Sequence, residues 1–148
     1  MLGDRVKRAP SPIAAVEVIA LRAPSTDVLD TAATSLVVRI TDEAGRVGIG
    51  ETDTAVEPAR AFLEMPDQHA WSRSPVELLV GADPFELAAL HDRLHEATVW
   101  PGRHGVVVHA LSAVDIALHD LVGRQLGRPV WQLLGGARRD RLRPYATV

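Results

Sequence analysis

Three features of this 148-residue chain predict an α+β domain. Period-two apolar alternation is confined to the first third, helical periodicity fills most of the remainder, and a Gly-closed loop joins two of the alternating segments. Strands first and helices afterwards imply a three-stranded antiparallel sheet followed by a helical bundle, not a parallel α/β sheet.

Residues 1–12 contain two prolines and several charged side chains and are expected to form a loose leader. The first strand is expected over 13–21, where Val16, Val18 and Ala20 alternate with Ala15, Glu17 and Ile19. The second covers 35–41, with Leu36, Val38 and Ile40 on one face and Val37 and Arg39 on the other. The third covers 46–51 and places Val47 and Ile49 together. Between the last two, residues 41–45 close a hairpin on Gly45. One face of such a sheet must be covered, and helices supply the cover. A first helix is expected over 57–65, opening near Pro58 and closing before Pro66. Ser74 caps a short second one. Asp83-Pro84-Phe85-Glu86 reads as an N-cap carboxylate, a first-turn proline and a capping-box glutamate. The third helix should open there and carry the stripe Leu87, Leu90, Leu94 and Ala97. After the loop 100–105 the longest helix runs toward Arg124, with Val107, Leu111, Val114, Leu118 and Leu121 on one side. Ala113 and Ile116 lie nearly opposite, so this helix is apolar on two faces and should be the most buried. Gly127 stops it.

Composition narrows the function classes. Without cysteine the chain makes neither disulfides nor thiolate metal sites. A net charge of −3 argues against general nucleic-acid binding. The cluster Arg138, Arg139, Arg141 and Arg143, interrupted by Asp140, reads as a solvated connector. The apolar run 13–21 is broken by Glu17 and too short to cross a membrane, so neither an anchor nor a targeting signal is read there. The expected location is cytoplasmic.

Several constellations can be weighed on spacing alone. His91 and His95 have the i, i+4 separation that lets two imidazoles share a metal, but Asp92 stands where the zinc-protease motif has glutamate, and no third ligand is marked. On the helix wheel His91 borders the apolar stripe and His95 lies further toward solvent, so both read as interface histidines. Ser112, Asp115 and His119 have the residue types of a hydrolase triad, yet Ser112 and His119 are separated by roughly 10 Å of helix. Asp115 and His119 are expected to pair. Gly48 and Gly50 lack the third glycine and the strand-turn-helix setting of a dinucleotide site. Glu51 and Asp53 should project to one side of an extended segment. In the loop 100–105, Arg103 and His104 place donors just before a helix N-terminus, which favours anions.

Four segments in order carry a family resemblance: VEVIALRAP at 16–24, LVVRITDEAGRVGIGE at 36–51, ADPFELAALHDRLHEAT at 82–98, and SAVDIALHDLVGRQLGRPVWQLLGG at 112–136. Together they resemble the N-terminal capping domain of the mandelate racemase and muconate-lactonizing branch of the enolase superfamily. The resemblance implies a capping domain at 13–128, then a connector and first barrel strand at 129–148, with strand residues 142–148. It also implies a following (β/α) barrel that these residues do not contain. In such enzymes the barrel holds Mg²⁺, and a barrel lysine or histidine removes the proton α to the substrate carboxylate. All catalytic and metal positions would then lie after Val148, so no catalytic base and no metal ligand are expected here. The 148 residues alone are expected to be inactive.

The cap would contribute specificity and exclude water. Its loop 24–34 offers Ser25, Thr26, Asp27, Asp30 and Thr31, and the loop 52–58 offers Thr52 and Asp53. With Arg103 and His104 these suit a small, polyhydroxylated carboxylic acid, and a lyase of the acid-sugar dehydratase type is expected. A racemase, epimerase or cycloisomerase (an isomerase of the same superfamily) and a non-catalytic α+β interaction module remain open. The implied partners are the barrel of the same protein and further copies in a homo-oligomer, with neither nucleic acid nor membrane. His119 stands where many relatives carry tryptophan, and MPDQHAWSRSP at 65–75 is not a shared signature, so the subgroup stays open.

Overall fold

The computed structural model describes residues 10–24 and 33–145. Strands β1 (Ile13–Ala23), β2 (Ala33–Asp42) and β3 (Val47–Thr52) form an antiparallel meander with β2 in the centre. Register puts Val18, Val38 and Gly50 in one row and Val16, Ile40 and Gly48 in another. Leu36, Val38 and Ile40 are fully buried, so the alternation read in β2 marks the core face. An irregularity between Ile13 and Ala15 returns Ile13 to the core side. Backbone bonds of 3.0 Å from Ile13 N to Ala82 O and 2.8 Å from Gly81 N to Ile13 O tie the start of β1 to the turn at residues 80–82.

Val47 and Ile49 do share a face, but it is the outer one. Gly48 and Gly50 turn inward, and Ile49 remains 46% exposed. The reason is a direct backbone contact. A Cβ on Gly50 would stand 1.9 Å from the Ala113 carbonyl oxygen, and one on Gly48 2.2 Å from that of Ala117. The glycines therefore serve close packing of a helix on a strand.

Five helices follow: α1 (Val56–Leu63), α2 (Pro75–Leu79), α3 (Leu87–Ala97), α4 (Val106–Leu126) and α5 (Val130–Leu133). α1 buries Val56, Ala59, Phe62 and Leu63. Ser74 caps α2 as expected, its Oγ accepting from Glu77 N at 3.3 Å. The expected cap at Asp83 is corrected. Its Oδ1 accepts from Phe85 N at 2.9 Å and its carbonyl from Glu86 N at 3.2 Å, closing a turn before the helix begins at Leu87. An aspartate hydrogen-bonded two residues ahead competes with a cap for the same short side chain.

α4 has more buried residues than any other helix. Its end matches the expectation: Gly127 is left-handed at φ 62°, with Arg128 N donating to Gly123 O at 2.8 Å and Gly127 N to Arg124 O at 3.3 Å. α4 is long and apolar enough to cross a membrane, but it packs along the sheet as a core helix. The expected second buried face is only half realised. Ala113 is buried on Gly50, whereas Ile116 is 50% exposed. Of the further strand expected at 142–148, the described part 142–145 joins no ladder, and a strand needs a neighbour to bond.

Candidate functional site

The antiparallel meander gathers three chain ends at one edge of the domain: the end of β1 (Ala23), the start of β2 (Ala33, its register partner) and the end of β3, where Thr52 pairs with Leu36. Since Gly48 lies over Ala117 and Leu121 while Gly50 lies over Ala113, α4 runs antiparallel to β3. Its first turns therefore meet the chain leaving β3. One side-chain hydrogen bond makes the junction: His109 Nδ1 and Thr54 Oγ1 are 2.9 Å apart. Arg103 and His104, both exposed, stand just before α4, whose N-cap Gly105 has φ 59°.

Thr52 is half-buried and Asp53 exposed at this same edge. The fold thus brings Thr52, Asp53, Arg103 and His104 to one end of the molecule, although no hydrogen bond or ion pair links them among the described residues. Ser25, Thr26, Asp27, Asp30 and Thr31 lie outside the described residues, but the strands flanking them end here. Glu51 accepts from Ser35 Oγ across the strand pair and is committed to the sheet. Thr54 and His109 were missed in the sequence. They are 55 positions apart, and only the β3–α4 packing makes them neighbours.

A second surface opens where the exposed side of α4 meets the edge of β3. Ile49, Ile116, Val130 and Leu134 line a groove of about 510 Å³, with Asp115, His119 and Asp120 on its walls. The polar walls are organised. Asp120 Oδ2 accepts from Ile49 N at 3.0 Å and from Arg124 Nε at 3.0 Å, which satisfies an edge-strand donor. His119 Nδ1 lies 2.9 Å from Asp115 O and 3.4 Å from its Oδ2, the pairing read from the i, i+4 spacing. Apolar exposure continues down the chain through Trp131, Leu134 (68% exposed), Leu142 and Tyr145. Exposed large apolar side chains are thus concentrated along this part of the chain.

Magnesium requires several oxygen donors converging on one point. Among the described residues no three His, Asp or Glu side chains converge in that way. The fully buried carboxylate of Asp42 is held by Arg46 Nε at 2.7 Å, with backbone bonds of 3.0 Å from Ala44 N and 2.8 Å from Arg46 N. These residues do not fit a magnesium centre.

Residues 13–135 match the profile of the N-terminal domain of mandelate racemase and muconate lactonizing enzyme. The chain belongs to this family. Its superfamily is that of enolase, and the mandelate racemase branch supplies the capping domain with this sheet-and-helix order. The chain is 40% identical over 114 residues to L-rhamnonate dehydratase of Saccharopolyspora erythraea, covering 77% of this chain and 27% of that protein. It is 37% identical over 131 residues to D-gluconate dehydratase of Thermoproteus tenax, covering 88% and 25% respectively. Among solved structures, a mandelate racemase/muconate lactonizing protein from Paracoccus denitrificans, complexed with magnesium, superposes with a TM-score of 0.70 at 37% identity. That match covers 88% of this chain and 32% of the other. The capping-domain chain spans about a quarter of the curated relatives' length and about a third of the solved one's.

Proposed function

We propose that this domain is the substrate-facing lid of a Mg²⁺-dependent enolase-superfamily enzyme that dehydrates a small sugar acid. The observation that carries the reading is convergence at one edge: the roots of the loop 24–34, the loop bearing Thr52 and Asp53, and the α4 N-terminus with Arg103 and His104. Hydroxyl, carboxylate, guanidinium and imidazole groups together suit a polyhydroxylated anion. The sugar-acid dehydratases among the relatives support the same substrate class.

In this reading the base and the magnesium ligands belong to a (β/α) barrel that continues the protein, and no step of the chemistry runs through the cap. The cap orients the acid through the edge residues and closes water out. The groove around Ile49, Ile116 and Leu134 receives the barrel, whose contact distinguishes a lid from a free-standing interaction module. By itself the domain is inactive, and the assembled enzyme is a cytoplasmic homo-oligomer.

A domain exchange tests the reading. Residues 13–128 replace the corresponding cap of the Saccharopolyspora dehydratase, and kcat/KM is measured over a panel of aldonic acids. A folded hybrid should dehydrate sugar acids with a preference that moves at least tenfold on Asp53→Ala or Arg103→Ala. A hybrid that folds yet leaves every sugar acid untouched would remove the lid assignment.

A further inference from the structure

His91 and His95 sit on successive turns of α3 with ring centroids 4.4 Å apart and planes inclined by 50°. The helix wheel placed His95 toward solvent, but packing reverses the order: His95 is half-buried and His91 exposed. Both rings border a cavity of about 190 Å³ whose opposite wall, on α4, carries Ser112, Asp115 and Ile116. Three other histidines are engaged, His69 by Trp71 N, His109 by Thr54 and His119 by Asp115. Among the described residues neither His91 nor His95 has a hydrogen-bond partner.

We infer that His91 and His95 form a two-imidazole chelate for one borderline divalent cation of the zinc or nickel type. Two imidazoles one helical turn apart face the same way and can share an ion at nitrogen–metal distances of about 2.0–2.1 Å. Imidazole nitrogen selects zinc, nickel or copper over magnesium, which prefers oxygen. Water completes the coordination, since no third His, Asp or Glu converges on the pair.

Calorimetric titration of the 148-residue chain with zinc chloride tests the inference. The expected result is one ion per chain, with a rise in Tm in excess zinc. His91→Ala and His95→Ala should each weaken binding at least tenfold, and millimolar magnesium should not compete. His91 is exposed, so its variant remains informative even where loss of His95 disturbs packing. No uptake, or uptake unchanged in either folded variant, overturns the site. Uptake lost on His104→Ala instead would do the same.

Discussion

The Asp42 carboxylate has no exposed surface and accepts from two backbone N–H groups and the Arg46 guanidinium. Burial alone would raise its pKa. The hydrogen bonds and charge of Arg46, with the Ala44 N–H, outweigh burial and hold the pKa below 3.8. A folded-state pKa below the unfolded value contributes stability above the unfolded pKa, and that stability is lost as pH falls through the folded one. Asp42→Asn should therefore cost about 2 kcal/mol at neutral pH by urea unfolding, and the gap between the two proteins should narrow as pH falls below the unfolded pKa and through the lower folded one. An unchanged gap at low pH would place the effect in packing, not charge. This residue was visible in the sequence only as a loop spacer. Its burial depends on Arg46 folding back four positions later, which the composition of a hairpin loop does not specify.

At the level of elements, contact of β3 with α4 fixes the layer spacing. Gly50→Ala would push a methyl into the Ala113 carbonyl, a backbone atom that cannot rotate away. The expected loss is about 3 kcal/mol or more, read as a fall in Tm, while Gly45→Ala tests φ strain alone because open space surrounds that glycine. Equal effects at the two positions would mean that the contact with the Ala113 carbonyl adds nothing to the cost. Much of this layer was legible beforehand. Alternation in β2, the Ser74 cap and the Gly127 stop each depend on neighbours within a few residues. The Gly48–Gly50 pair was legible as unusual but not as a helix seat, because its partner lies more than 60 positions away. The Asp83 turn failed for another reason: the same four letters support a cap or a preceding turn, and packing of buried Pro84 accompanies the second.

For the molecule as a whole, the uncovered side of α4 is the main departure from a self-sufficient domain. The isolated chain should bind an apolar dye or self-associate. Replacing Ile116 and Leu134 by lysine should suppress both without lowering Tm, since neither residue belongs to the core. Dye binding and association that persist in the double variant would locate the sticky surface elsewhere. An apolar side chain reads identically in sequence whether it enters its own core or meets another body, so the groove could not be separated from the core before folding. The edge that gathers Thr52, Asp53, Arg103 and His104 was legible as separate loops, and their convergence required the topology. The glycine seat has a mechanical consequence. With no side chain cushioning α4 from β3, the two cannot slide or tilt independently. Ile116 and His109 stand on that one helix roughly 10 Å apart along its axis, and His109 reaches Thr54 through one hydrogen bond. The apolar flank and the turn at the far end are thus joined by one helix and one hydrogen bond.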